Sequence, residues 1–213
     1  MDRMLYIAMS GAKETMHSQS TTSNNLANAS TSGFLADLQQ FRSMPVFGPG
    51  QATRVYAMSE RPATDFAPGA KMMTERDLDV AVSGDGWFAV QSKDGNEAYT
   101  RRGDLQIDAN GLVTTGNGLP LLGDGGPIAI PPAEKVTIGS DGTISIVPEG
   151  GDPTQLAVID RIKMVAPQFD QMRKGQDGLM RLESGEPAEA DAAQRLVQGF
   201  LESSNVNAVN EMV

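Results

Sequence analysis

Among the 213 residues there is one histidine and no cysteine. His17 is the sole candidate for acid–base work near neutral pH, and such a base needs a nucleophile and an orienting partner within reach. Neither accompanies it, and His17 falls on the polar side of a helical run, where a surface residue is expected. The absence of thiols excludes a disulfide scaffold, a thiolate zinc site and thiol chemistry. Gly84-Asp85-Gly86 lies between two strand-like runs, so it reads as a hairpin turn and not as a phosphate loop opening a helix. Asp108-Ala109-Asn110-Gly111 begins like a calcium loop, but its twelfth position is Leu119, where a bidentate Glu is required. Arg102-Gly103-Asp104 spells an adhesion tripeptide inside a glycine-rich hairpin region. Carboxylates are numerous, yet none has the setting of a glycosidase pair. The chain therefore reads as no enzyme, with no catalytic residue, metal or cofactor expected.

What the sequence does place at regular spacing is an apolar seam. Asp2 to Leu26 can be wound as one helix, about 37 Å long at 1.5 Å per residue. It has no Pro, and its one Gly, Gly11, sits early. Asn24-Asn25-Leu26-Ala27-Asn28-Ala29-Ser30-Thr31-Ser32-Gly33-Phe34 ends it, because Asn and Ser compete with the helical backbone and Gly33 can take a positive φ at the exit. Met1, Leu5, Ala8, Ala12, Thr15, Gln19, Thr22 and Leu26 follow the four-three spacing of a coiled-coil seam. The seam is weak, since Ala, Thr and Gln stand where Leu or Ile would bury far more apolar area. Met4, Met9 and Met16 flank it with side chains that fill irregular gaps. Such a helix draws its stability from packing. It lies either on its own domain or among other chains, and small seam residues allow helices to approach closely. Ser18 to Ser23 make part of its surface polar but uncharged.

Hydrophobic residues make up 39% and aromatics 5%, sparse for one deep core, while the 23 glycines favour turns and strands. The N-terminus lacks a basic head, an apolar middle and a small-residue cleavage site, so it is not expected to be a cleavable signal, and no run is long and apolar enough to span a membrane. The formal net charge is −10. Arg3 and Lys13 nearly balance Asp2, Glu14 and Asp37 in residues 1–40, and residues 41–75 are close to neutral, so the acidity belongs to the rest. An acidic, solvated body joined to a neutral terminal segment suits self-packing, and no basic patch suggests nucleic acid.

Residues 34–75 read as an extended connecting region punctuated by Pro45, Gly48-Pro49-Gly50, Pro62 and Pro68-Gly69, with Thr53–Met58 the only clear strand. From Leu78 short strands alternate with turns. Asp94-Gly95, Asn110-Gly111 and Asp141-Gly142 between alternating runs are strong hairpin signals. The spacing predicts strands over 78–82, 87–91, 97–101, 105–107, 111–114, 136–138, 143–147, 156–164 and 178–182. The expected fold is mainly β: a central antiparallel β domain, sandwich or partial barrel, with a long N-terminal helix and the start of a C-terminal helix. Arg195–Glu202 fits a strand or a short helix. Asn207 is the expected N-cap of the C-terminal helix, with Glu211 in its first turn. The apolar stripe after it stops within six residues at Val213, so that end either frays or begins a longer helix. Four segments result: 1–33, assembly helix and turn; 34–75, connecting region; 76–185, β-rich outer domain; 186–213, return segment into the C-terminal helix.

Three separated stretches resemble the flagellar basal-body rod family. Asn24–Phe34 is similar to its N-terminal signature, with N-N-L-A-N, a Ser/Thr-rich turn and Gly-Phe. Leu78–Val90, with Ser83-Gly84-Asp85-Gly86-Trp87-Phe88, is similar to its central block, which continues through Tyr99-Thr100-Arg101-Arg102-Gly103 and Asp108–Thr115. Gly199 with Leu201-Glu202-Ser203-Ser204-Asn205-Val206-Asn207 resembles its C-terminal signature. Phe41–Val46 and Asp65–Gly69 are most similar to the family's proximal rod members. The resemblance implies a structural, non-catalytic subunit of the periplasmic drive shaft. Its partners would be copies of itself, other rod proteins and the flagellar type III export apparatus, without nucleic acid or membrane insertion. In the family the C-terminal helix runs several turns further and pairs with the N-terminal one around a central channel. Leu5, Ala8, Ala12, Met16 and Leu26 are then the expected helix-packing positions. Asn28, Gly33 and Phe34 would form the turn to the body, and Asn205, Val206 and Asn207 the returning contact. The alternatives are a secreted β-domain hydrolase or carbohydrate binder, which needs a pocket with paired carboxylates, and an adhesin, which needs Arg102-Gly103-Asp104 to protrude.

Overall fold

The computed structural model describes residues 2–45, 55–59, 63–150 and 156–212. They form two compact units: residues 1–30, 35–67 and 205–213, and residues 31–34 with 68–204. The expected strand at Thr53–Met58 falls partly outside the described residues; its described part is the strand Val55–Ser59.

In the first unit one helix runs from Asp2 to Ala27. It stops where Asn28 turns back, its N–H reaching the carbonyls of Asn24 and Asn25 at 3.1 Å and its side-chain amide bonding Asn24 O at 2.9 Å. Along the helix lies a two-stranded ribbon, Phe41–Pro45 against Val55–Ser59, with Phe41 opposite Ser59 and Pro45 opposite Val55. The strand Phe41–Pro45 falls in the region expected to be an extended connector punctuated by Pro45; in a two-stranded ribbon a proline can face outward without costing a bond. A shorter bridge pairs Asp37–Leu38 with Ala63–Thr64. The unit closes with a single turn of helix, Ala208–Glu211. No helix among the described residues is long and apolar enough to cross a membrane.

The second unit is all β. Its largest sheet has five antiparallel strands in the order Met164–Val165, Trp87–Gln91, Glu97–Thr100, Met180–Leu182, Met172–Lys174. A three-stranded sheet runs Ala133–Ile138, Thr143–Pro148, Ala157–Arg161. Two-stranded ribbons pair Leu105–Ile107 with Val113–Thr115, and Leu122–Gly123 with Gly126–Pro127. The barrel does not close. The core gathers Val80, Val82, Phe88, Val90, Leu105, Leu121, Ile144, Ile146 and Ile162, all fully buried. Val80–Ser83 and Trp87–Gln91 are covered on both faces, Ala81 and Ala89 being buried too, while Thr143–Pro148 buries Ile144 and Ile146 by alternation.

One strand expectation needs correction, and one open reading is decided. The long strand foreseen over 156–164 is broken, because the chain leaves the Thr143–Pro148 ladder at Arg161 and joins Trp87–Gln91 at Met164. Between them Ile162 N–H bonds Gly142 O and Lys163 N–H bonds Leu122 O, both at 2.9 Å. The undecided run Arg195–Glu202 is two strands bent at Gly199: Arg195–Gln198 pairs with Val80–Ser83, and Phe200–Glu202 with Lys71–Met73.

Candidate functional site

In the second unit, parts of all three signature stretches meet at one buried ion pair. Arg101 leaves the end of the Glu97–Thr100 strand, and Glu202 ends the last strand of the unit. Their side chains are each 1% exposed, with Arg101 Nη1 3.2 Å from Glu202 Oε1 and 3.3 Å from Oε2. Arg101 Nη2 donates to Gly84 O at 2.7 Å, and the guanidinium lies 5.1 Å from the centre of the Trp87 ring. Glu202 serves two further segments. Its carbonyl accepts the Gly33 N–H at 2.8 Å, and its Oε1 accepts the Gly69 N–H at 3.2 Å. A charge out of water is tolerated only when paired and hydrogen-bonded, so removing either partner costs about 3–5 kcal/mol. The pair therefore fixes which segments come together.

Gly33 is fitted to this junction. Its φ is +65°, and a Cβ there would overlap the backbone of Arg101 and Arg102. Phe34, next in the chain, presents its ring to the Lys174 ammonium at 4.0 Å from the centroid. The expected turn residues Gly33 and Phe34 thus lie on the β unit, while Asn28 caps the helix within the first.

The first unit is tied by asparagine amides, which present a donor and an acceptor in one plane like a peptide group. Asn25, 2% exposed, donates from Nδ2 to Asp37 O and accepts the Asp37 N–H on Oδ1, both at 2.9 Å. Its Nδ2 also reaches Glu211 Oε1 at 3.0 Å. Asn205 accepts the Ala36 N–H at 2.7 Å and donates to the carbonyls of Asp65 and Ala67 at 2.9 Å. Asn207 is the N-cap of Ala208–Glu211, accepting from Val209 and Asn210, as its position beside Glu211 led one to expect. Val206 stands half-buried between the two asparagines.

The long helix shows which of its faces is used within the chain. Its less exposed positions are Ile7, Ser10, Gly11, Glu14, Ser18, Thr21, Thr22 and Asn25, mostly small or polar. Of the described seam residues Thr22 alone is among them. Leu5 is 63% and Met16 72% exposed, and Ala8, Ala12 and Leu26 are exposed too. The arrangement is inverted relative to an ordinary surface helix, which turns its apolar stripe inward. Val209 and Met212 of the short helix are likewise open.

Several other charged groups hold turns and strands. Arg102 binds Asp104 through Nε–Oδ1 at 2.6 Å and Nη2–Oδ2 at 2.7 Å, so Arg102-Gly103-Asp104 closes on itself and does not protrude as the adhesin reading required. Asp108 accepts the N–H groups of Leu112 and Asn110 at 2.8 Å, and the Leu112 bond above all holds its carboxyl below the usual range. Hydrogen bonds from Thr143 do the same for Asp141, and the Arg181 guanidinium for Asp177. Burial pushes the Tyr99 phenol well above its ordinary value; its hydroxyl donates to Glu97 Oε1 at 2.9 Å and accepts the Ala188 N–H at 2.6 Å. A groove of about 400 Å³ between Ile107–Gly111 and Ile130–Val136 has Asp108 as its one carboxylate, so it offers no acid–base pair. Among the described residues no three His, Asp or Glu side chains are grouped to hold a metal.

Residue spacing alone did not single out Asn25, Arg101, Glu202, Gly69 or Lys174. The available signal was the place of two charged residues inside the signature stretches, Arg101 in the central block and Glu202 in the C-terminal one.

Residues 5–34 match the family model described as flagella basal body rod protein, and residues 81–146 the model described as the flagellar hook protein FlgE/F/G D1 domain. The whole chain aligns with flagellar basal-body rod protein FlgF of Escherichia coli (strain K12), 42% identical and covering 86% of that protein. The figures are the same for FlgF of Salmonella typhimurium (strain LT2). FlgG of Buchnera aphidicola subsp. Schizaphis graminum is 30% identical over 98% of the chain and 87% of its own length. The chain belongs to the flagellar basal-body rod protein family, and it is a structural subunit of the rod. Within that family its likeness is to FlgF, at 42% against 30% for the FlgG relative.

Proposed function

We propose that this rod subunit builds the proximal part of the periplasmic shaft, packing against copies of itself and other rod proteins and passing torque through those contacts. The observation that carries the reading is the inverted helix. Its polar, small-residue face is taken up within the chain, leaving Leu5, Ala8, Ala12, Met16 and Leu26 free for neighbours. Residues 1–33 act as the assembly element and 76–185 as the outer body. Asn28, Gly33 and Phe34 set the exit from the helix, and Asn205, Val206 and Asn207 carry the chain back to it. The subunit does no catalysis. It reaches the periplasm through the flagellar export apparatus. The family does not favour the hydrolase or carbohydrate-binding alternative, and the pocket that Asp124 and Asp191 line measures only about 50 Å³.

Because the chain has no cysteine, single introduced thiols report contacts cleanly. Ala8→Cys and Ala12→Cys should cross-link to neighbouring subunits in isolated basal bodies, while Ser10→Cys, on the inner face, should not. Cross-linking from Ser10→Cys alone would contradict the assignment of the faces.

A further inference from the structure

The last segment of the β unit is built into its centre. Leu196 is buried in the core, and its N–H bonds Ser140 O at 2.9 Å. Arg195–Gln198 is the ladder partner of Val80–Ser83 in a two-stranded sheet, and Val80 and Val82 are themselves core residues. At the bend, Gly199 N–H donates to Asp79 O at 2.7 Å, while Gly199 O accepts from Thr74 N at 2.8 Å and Glu75 N at 3.3 Å. Glu75 is held there at φ 60°, a conformation that a non-glycine residue keeps only when its surroundings over-determine it. Phe200–Glu202 then pairs with Lys71–Met73, Ser203 N–H bonds Ala70 O at 2.8 Å, and Glu202 neutralises Arg101.

We propose that residues 195–203 are a closing strap: the β unit reaches its native state only when this segment is seated, with Arg101–Glu202 as the latch. Taking the strap away does not trim an edge. It uncovers Val80 and Val82, leaves Arg101 as a buried charge without a counter-ion, removes the acceptor of Gly33 N–H, and frees Glu75 to relax. The strap's ladder, core and latch partners lie around residues 70–83, 101 and 140, so closure spans much of the unit and its entropic cost is met only when these engage together. A chain delivered N-terminus first, whether from a ribosome or through a narrow channel, therefore stays open until the strap has followed. This inference rests on the topology and not on the rod reading.

The test uses the full chain with a protease site inserted between Gly185 and Glu186, in an exposed turn, and a fluorophore on Arg195→Cys, also exposed. The folded protein is cut and titrated with urea, following label anisotropy for the strap and emission of Trp87, the one tryptophan, for the core. The expected result is a lower midpoint than in the uncut protein, with strap release and the red shift of Trp87 coinciding. Release of the strap at lower urea with native Trp87 emission would overturn the proposal. Amide exchange of the uncut protein gives a second reading. Leu196, Gly199 and Ser203 should exchange as slowly as Ala89 and Val113, and exchange orders of magnitude faster would overturn it equally.

Discussion

The Asn25 carboxamide and the Asp37 peptide group exchange two hydrogen bonds of 2.9 Å, so a helix side chain does the work of a strand partner. Asn25 is buried and Asp37 half-buried, and Asn25 Nδ2 also holds Glu211 Oε1. Asn25→Ala leaves these partners unsatisfied. It should destabilise the first unit by about 1–3 kcal/mol, read as a lower urea midpoint for loss of helix signal, with Trp87 emission unchanged at that midpoint.

Gly33→Ala should release the 31–34 loop from the β unit. A Cβ cannot fit against the Arg101–Arg102 backbone, and the positive φ adds strain of about 1–3 kcal/mol. Gly33→Val should be worse. The expected phenotype is loss of rod assembly with a β unit still folded by Trp87 emission; a functional rod in Gly33→Val would contradict the role given to this turn.

Substitutions on the open seam should separate stability from assembly. Leu5→Glu and Met16→Glu touch no described interior, so each should change monomer stability by less than about 0.5 kcal/mol. Each should nonetheless abolish motility and the recovery of rods. Loss of monomer stability of several times that size would mean that the seam is used within the chain.

Tyr99 gives the pH dependence a sign. Its folded-state value is raised by burial, so the contribution it makes is fully present below the unfolded value of about 10. It is lost as pH rises through the higher folded value. Tyr99→Phe should cost about 1 kcal/mol at neutral pH through its two hydrogen bonds. The variant should also show a flatter alkaline limb in a plot of urea midpoint against pH. An unchanged alkaline limb would place the sensitivity elsewhere.

The long helix and the hairpins were legible because each is written in a local pattern. A four-three seam uninterrupted by proline marks the long helix, and Asp-Gly or Asn-Gly between alternating runs marks strands such as Thr143–Pro148. The ribbon partners Lys71–Met73 and Met172–Lys174 were not legible, since three residues carry no period and Lys71–Met73 acquires its strand from Phe200–Glu202 far along the chain. Glu202 is hidden for a related reason. A glutamate at a strand end is ordinarily solvated, and only Arg101, 101 residues earlier, makes its burial tolerable. The seam was visible as a spacing, but its outward direction was not. That follows from Asn25, Thr21 and Ser18 taking the inner side, a choice that hydrophobic pattern alone would reverse.

The most direct measurement is amide exchange across residues 5–20, in the dilute monomer and in isolated basal bodies. The account predicts that these amides exchange orders of magnitude more slowly in the rod, because neighbours cover Leu5, Ala8, Ala12 and Met16. Equal protection in both states would contradict it, since the helix would then owe nothing to other subunits.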